Sequence, residues 1–373
     1  PHYTGLTQAA LLERIRNERR IELSFAMAEA DEIYVLDTGS TDGTPEQLRA
    51  LGAIVTEERI SPWRFDAARN RSLELVPEDA DICVCTDLDE SFQPGWREKI
   101  EAAWAQGAQQ IRYRYVWNFQ PDGSEGYVFW IDKIHARRGF SWVNPVHEVL
   151  RYAGPGAPQS RFAEGVCLEH RADPTKSRGQ YLPLLELAVQ EDPQNDRNMH
   201  YLGREYMFHG DWDKCIATLL RHLGMPSARW ADERSASMRF IARAYAAKGE
   251  REPARAWYLR AIAEAPHLRE PYLDFARFLS EEGDHEGVAW LSGRALAIAE
   301  RPKSYICEGD AWGYLPHDLR ALACYHMAAQ DYAQAALAQG ERAAALAPWI
   351  ERLAGNLPFY RMRASGEALV KTR

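Results

Sequence analysis

The second half of the chain repeats itself, and this repetition limits the folds that it can adopt. Residues 241–249 (IARAYAAKG) are echoed by residues 275–283 (FARFLSEEG), 34 positions later. Looser copies lie at 202–212 and 323–348. A period of this length is typical of two antiparallel helices per unit, with small and large apolar residues that nest and stack on the next pair. We therefore predict an all-α stack of helix pairs for residues 175–373.

The first half has a different pattern. Short apolar runs at 33–36, 53–55 and 82–85 end in turn residues and are followed by stretches with helical periodicity. Strands that alternate with helices indicate a mostly parallel sheet covered on both faces. Two β-rich runs, 111–119 and 126–134, then flank a Pro-Asp-Gly-Ser turn and predict a hairpin, so that the sheet becomes mixed. The first domain is predicted to span residues 1–174.

The composition excludes several classes of protein. The chain has 373 residues and a formal charge of −9, from 45 basic and 54 acidic residues, which argues against a protein that mainly coats polyanions. No run of about 18 apolar residues and no secretory leader is visible, so no membrane span is expected. The six cysteines are scattered without paired spacing, which favours a reduced, cytoplasmic protein.

Acidic clusters follow two of the predicted strands. Asp37 comes directly after the first apolar run, and Asp87 and Asp89 follow the third. Ligands of open α/β sheets bind at the carboxyl ends of the strands, where carboxylates hold a base, a ribose or a hard divalent cation. The chain has neither a GxxxxGK[ST] loop nor a GxGxxG turn after a strand. A plain turn and a solvated loop are the alternatives for these two clusters.

Several segments together resemble a known family. Residues 34–44 (YVLDTGSTDGT), 68–70 (ARN) and 87–90 (DLDE) are similar to segments of family 2 glycosyltransferases with the GT-A fold. Residues 145–148 (PVHE) and 168–170 (LEH) resemble segments of members that carry a tetratricopeptide tail. The resemblance implies an α/β, Rossmann-like GT-A domain with a mixed sheet, followed by an all-α tetratricopeptide-repeat domain.

The same resemblance implies a nucleotide-binding role for several residues. Asp37 would contact the base, within a motif that also includes Asp42. Arg69 would lie near the nucleotide and its phosphates, and Asp87 would hold the ribose or a metal ion. A further phosphate contact is expected from Lys176.

The catalytic and metal-binding residues are also expectations from the family. Asp89 would bind Mn²⁺ or Mg²⁺, together with Asp87 and with His170 or His147 as a further ligand. Glu148 is the candidate base that deprotonates the acceptor, because it follows a β-rich stretch that should return to the rim of the site.

The implied activity is the transfer of a sugar, with inversion, from a nucleotide-sugar donor to an acceptor. A UDP-sugar is the expected donor, and a protein, a peptide or a glycan is the expected acceptor. The alternatives are transfer to hydroxymethylated phage DNA and a non-catalytic scaffold whose repeats bind peptides. The repeats could also form a homodimer.

The predicted hairpin carries basic and aromatic residues of open role. A nucleic-acid acceptor would need a basic groove, for which the candidates are Arg112, Arg114, Lys133, Arg137 and Arg138. His135 is expected to be a surface residue of the strand. The aromatic residues that either fill the core or form an acceptor platform are Trp117, Trp130 and Trp142.

Overall fold

The computed structural model describes residues 29–171 and 179–366. It divides into two compact units, one ending at Glu191 and the other beginning at Asp192. The predicted domain boundary, after residue 174, falls in the gap between the two described ranges.

Strands and helices alternate along the first part of unit one, as predicted. Its strands are β1 (Tyr34–Asp37), β2 (Ile54–Glu57), β3 (Ile82–Val84), β4 (Glu90–Phe92), β5 (Gln110–Val116), β6 (Val128–Ala136), β7 (Phe140–Val143), β8 (Val149–Tyr152) and β9 (Ser160–His170). Its helices are α1 (Thr44–Ala50), α2 (Phe65–Leu75), α3 (Trp96–Trp104) and α4 (Tyr181–Glu191).

The strands form three sheets, and the largest is mixed, which confirms the predicted fold class, although it is mainly antiparallel and not mostly parallel as expected for the first half. Strands β1 and β2 are parallel. Five further strands pair in the order β3-β6-β5-β9-β4, where only β5 and β9 run parallel to each other. The predicted hairpin is the antiparallel β5–β6 pair. Strands β7 and β8 form a separate antiparallel pair.

The core of this unit lies between the five-stranded sheet and helix α3. The helix buries Trp96, Ile100 and Ala103, which lie on one face because their spacing follows the helical period. In β5, Ile111 and Tyr113 alternate with more exposed residues, as expected for a strand with one buried face. This packing fixes the carboxyl ends of the strands that carry the predicted site residues.

The second unit is helical throughout its described length. Its helices are α5 (Asp196–Phe208), α6 (Trp212–Leu223), α7 (Ala231–Ala247), α8 (Arg251–Glu264), α9 (Glu270–Glu281), α10 (His285–Leu296), α11 (Gly309–Trp312), α12 (Leu315–His326), α13 (Gln330–Leu346) and α14 (Glu351–Ser365). None of the helices within residues 29–171 and 179–366 has the length and apolar character needed to cross a membrane.

Glycines mark the turns inside the first three helix pairs. Gly210, Gly249 and Gly283 have φ angles of 73°, 79° and 74°, in the left-handed region that side chains with a Cβ disfavour. Each lies between the two helices of one pair, so the repeated glycine of the sequence is a backbone requirement of the turn.

The first pair also depends on a glycine within a helix. A Cβ atom on Gly203 of α5 would lie 2.4 Å from the side chain of Leu219 in α6. The absence of a side chain therefore lets the two helices approach closely, which explains the small residue at this position of the repeat.

Candidate active site

The loop after β1 is organised by two aspartates. Asp37 is buried, and its Oδ1 accepts hydrogen bonds of 2.9 Å from the backbone N–H groups of Gly39 and Ser40. Burial would raise the pKa of Asp37, but these hydrogen bonds lower it below the ordinary value. Asp42 is exposed and accepts hydrogen bonds from the backbone and hydroxyl of Thr44, where α1 begins. Both aspartates shape the loop, and their contact with a nucleotide remains a prediction.

The loop after β3 is held by Glu90, a residue that the sequence analysis did not select. Glu90 is buried at the start of β4, and its Oε2 accepts the backbone N–H of Asp87 at 2.9 Å. Its Oε1 accepts the Tyr115 hydroxyl at 2.6 Å and the Lys133 ammonium at 2.8 Å. The backbone of the Asp-Leu-Asp segment is therefore anchored to the neighbouring strands β5 and β6.

Arg69 joins two acidic residues that are far apart in sequence. Its Nε donates to Glu148 Oε1 at 2.5 Å, and its terminal nitrogen donates to Asp87 at 3.0 Å. The guanidinium also lies over the ring of Trp142, 5.0 Å from the centroid. Asn70 exchanges two hydrogen bonds of 2.8 Å with the backbone of Trp142, which fixes α2 against β7. Helix α2 thereby places Arg69 between the loop after β3 and the residue before β8.

Lys133 is a second cation beside the same aspartate. Its ammonium lies 3.3 Å from Asp87 Oδ2. Burial would raise the pKa of Asp87, but Lys133 and Arg69 hold it well below its usual range. Burial would also lower the pKa of Lys133, but the charges of Glu90 and Asp87 raise it. Asp87 therefore stays ionised between two cations, and its role as a metal ligand stays a prediction.

Asp89 and His170 form a second, separate pair. Asp89 Oδ2 lies 3.5 Å from His170 Nε2, because Glu90 at the start of β4 is directly paired with His170 at the end of β9. His170 Nδ1 lies 2.8 Å from the carbonyl oxygen of Trp117, which can only accept, so this nitrogen carries the proton. Burial would lower the pKa of His170, but Asp89 and this carbonyl raise it.

This pair offers two donor atoms of the kinds that bind divalent cations. In neutral His170 the second nitrogen, Nε2, presents a lone pair toward the Asp89 carboxylate. The hydrogen bond to the Trp117 carbonyl is the outer contact that orients most metal-binding histidines. A carboxylate and an imidazole both suit Mn²⁺, whereas Mg²⁺ prefers oxygen ligands. The donor set therefore fits the cation that the family resemblance implies.

Two predicted site residues are placed elsewhere or fall outside the described residues. His147 has a left-handed backbone conformation and lies beside Tyr181 of α4, at 5.7 Å between ring centroids. Lys176 lies outside the described residues. Both roles stay predictions.

The prediction of a surface position for His135 is wrong, and three of the five basic groove candidates, including Lys133, lie beside carboxylates. His135 is 0% exposed, because its face of β6 is covered by Phe140 and Trp142, and its Nε2 lies 3.5 Å from Cys85 Sγ. Arg114 is paired with Glu125, and Arg138 with Glu78.

The three tryptophans differ in exposure. Trp142 is buried and supports Arg69, so packing explains it. Trp130 lies edge-on to Phe162. Trp117 is 46% exposed and lies against His170, at 4.6 Å between ring centroids. Of the three, Trp117 alone combines a wide exposed surface with a contact to the candidate cation site.

Comparison with known proteins finds a family model that matches the sequence of the first unit. Residues 8–148 match the model of Glycosyl transferase family 2. The first unit contains a glycosyl transferase family 2 domain. The matched segment includes the loop after β1, Arg69 and the loop after β3, and it ends at Glu148. The family implies glycosyltransferase chemistry for this domain.

Beyond the glycosyl transferase domain, the chain is similar to solved structures of repeat proteins. The yeast Tom70 structure is 13% identical over 52% of this chain and 37% of that chain, with a TM-score of 0.40. A thermophilic TPR protein in Thermus thermophilus is 19% identical over 48% and 89% of the two chains, with a TM-score of 0.36. MamA is 15% identical over 46% and 89%, with a TM-score of 0.35. A search of curated proteins found no match.

Proposed function

We propose that the protein transfers a sugar from a nucleotide-sugar donor, with a UDP-sugar expected, in a reaction that depends on Mn²⁺ or Mg²⁺. The observation that carries the proposal is the pair of charged groups at the strand ends of a glycosyl transferase family 2 domain. One group is Asp89 with His170, which fits a cation, and the other is Arg69 with Asp87 and Glu148.

Residues of both groups would bind the nucleotide-sugar donor. Asp89 and His170 would hold the cation, which would neutralise the charge of the diphosphate leaving group. Asp37, in its ordered loop, would accept hydrogen bonds from the nucleotide base. Asp87 would accept hydrogen bonds from the ribose, while Arg69 and Lys133 keep its carboxylate ionised.

Glu148 would be the base that removes the proton from the acceptor hydroxyl. A general base must be held in a fixed orientation within hydrogen-bond reach of the proton it takes. One oxygen of Glu148 accepts the Nε–H of Arg69, and this contact fixes the carboxylate. An in-line attack by the acceptor would invert the anomeric centre.

We propose a protein, peptide or glycan acceptor. Arg114 of β5 and Arg138, which follows β6, pair with carboxylates and so leave less positive charge for a DNA backbone. The exposed ring of Trp117 beside His170 offers a flat face on which a sugar ring or an aromatic side chain of the acceptor can stack.

The test compares two substitutions that each replace a carboxylate by the corresponding amide. Asp89→Asn removes the charge of the proposed cation ligand, and Glu98→Gln removes an exposed charge on α3. Binding of Mn²⁺ and of a panel of nucleotide sugars is measured by calorimetry, and nucleotide release is measured in parallel. We expect the first variant to lose Mn²⁺-dependent donor binding and nucleotide release, and the second to retain both. Metal-linked donor binding that survives in Asp89→Asn would contradict the proposal.

A further inference from the structure

A second cluster of metal-binding side chains lies in the helical unit, away from the residues discussed above. His200 of α5, His222 of α6 and Glu233 of α7 each offer a ligand atom, and these atoms lie within 4.8 Å of one another. All three side chains are buried, at 1%, 0% and 5% exposure. Buried charged groups are costly unless they are paired or bind a metal, so the cluster needs a physical explanation.

The hydrogen bonds around the cluster leave one nitrogen unsatisfied. Ser237 Oγ lies 2.7 Å from His200 Nδ1 and 3.0 Å from His222 Nδ1. Glu233 Oε2 accepts the hydroxyl of Tyr305. His222 Nε2 is buried, has no hydrogen-bond partner, and faces Glu233 Oε1 at 3.4 Å. A buried polar atom without a partner costs about 1–3 kcal/mol, which a bound cation would offset.

A catalytic role for the same residues does not fit their burial. Ser237, His222 and Glu233 form a chain of contacts that resembles a nucleophile, a base and an orienting acid. Ser237 is 0% exposed, however, so no substrate could reach its hydroxyl without opening three helices.

We propose that His200, His222 and Glu233 form a structural zinc site that joins helices α5, α6 and α7. Two imidazoles and one carboxylate are a frequent zinc ligand set, with bonds of about 2.0–2.2 Å to tetrahedrally arranged ligands. Neighbouring ligands of such an ion are about 3.4 Å apart, which follows from those bond lengths. The 3.4 Å between His222 Nε2 and Glu233 Oε1 already has this value, and the ligand atom of His200 lies within 4.8 Å of both. One position remains for a small oxygen ligand such as water.

The site would give the first helix pair and the next helix a common anchor. Each helix pair of a repeat protein contacts only its neighbours, so the contact between the first pair and the second depends on a few helices. An ion bound by α5, α6 and α7 would strengthen that contact. The inference is independent of the activity proposed for the glycosyl transferase domain.

The experiment uses the full chain with Asp89→Asn, so that the candidate active site does not contribute bound metal. Zinc is added, excess is removed by dialysis, and bound zinc per chain is measured by elemental analysis. Tetrahedral coordination is tested by the visible absorption of Co²⁺ in place of zinc. We expect one zinc per chain and, for the unfolding transition of the helical unit, a melting temperature that EDTA lowers by roughly 5 °C.

Two further substitutions separate a metal site from a hydrogen-bond network. Glu233→Gln keeps the volume and an oxygen for Tyr305 but removes the charged ligand, and we expect the zinc dissociation constant to rise roughly 10–100-fold or more. Ser237→Ala removes the hydroxyl that contacts both imidazoles and leaves all three ligands, so zinc is retained.

Two outcomes would overturn the proposal. One is the absence of retained zinc, with a melting temperature that EDTA does not change. The other is equal zinc affinity in the Glu233→Gln chain. If Glu233→Gln does not fold, the response of the Asp89→Asn chain to EDTA and zinc decides between a metal site and a hydrogen-bond network.

Discussion

Replacement of Arg69 by methionine should destabilise the glycosyl transferase domain, chiefly because the hydrogen bond to Glu148 is lost. Methionine keeps an apolar stem near Trp142 but removes both ion pairs. The side chains of Arg69 and Glu148 are 17% and 12% exposed, so their charge-assisted hydrogen bond is worth about 1.5–3 kcal/mol. Asp87 is 42% exposed and keeps Lys133, so screening limits its loss to under about 1 kcal/mol. The expected total is about 2–4 kcal/mol.

The assay must separate the two compact units, because one melting temperature does not describe a two-domain chain. Native-state hydrogen exchange, measured on peptides, gives the opening free energy of helix α2 directly. Peptides from α12, in the helical unit, are the internal control, and their exchange should not change.

A double-mutant cycle tests the assignment of the energy to one pair. Glu148→Gln should cost about 1–3 kcal/mol in the wild-type chain and much less in the Arg69→Met chain, because the pair is already broken. The coupling expected from the 2.5 Å contact is about 2 kcal/mol. Equal costs of Glu148→Gln in both backgrounds would refute the reasoning.

Three further predictions concern catalysis, packing and pH. Glu148→Gln should lower the rate of transfer by about 10²–10⁴-fold while Mn²⁺-dependent donor binding persists; a loss of less than about tenfold would exclude it as the base. Gly203→Ala should destabilise the helical unit by about 1–3 kcal/mol, because the added methyl group would clash with Leu219. Urea unfolding followed in that unit measures the loss, and the control is Gly355→Ala, where the added methyl group would meet no atom within 4 Å. Burial lowers the pKa of His135, so as the pH falls the unfolded chain binds the proton before the folded chain does. The glycosyl transferase domain should therefore lose stability below about pH 6.5, by about 1.4 kcal/mol per unit of pKa difference between the two states. Hydrogen exchange of the β6 amides should show this loss, and His135→Leu should remove it.

Local signals are sufficient to predict most elements from the sequence. The apolar runs that form β1 and β3 end in turn residues, and the repeated glycines mark the turns between helices. Strand β9 is not predicted, because Ser160–His170 has little regular alternation and is interrupted by Gly165 at a φ of 77°. Its partner β5 lies about 50 residues earlier, so the pairing is a non-local contact that no local pattern records.

The site shows the same division between local and non-local information. The acidic loops can be located from their composition, but the partners of their carboxylates cannot. Lys133 is predicted only as part of a basic surface, whereas in the structure its ammonium contacts the carboxylates of Glu90 and Asp87. Glu90 has no signal of its own, since a buried glutamate cannot be told from an exposed one without the strands that cover it.

The position of β9 between β5 and β4 has a consequence for how the protein folds during its synthesis on the ribosome. The family match ends at residue 148, yet β9 supplies His170 and pairs with both β5 and β4. Until β9 has left the exit tunnel, β4 has no described strand beside it and Asp89 lacks its histidine. A nascent chain that already contains every matched residue is therefore still without its candidate cation site. Donor binding should appear only after β9 has been released, and the helical unit is synthesised after that step.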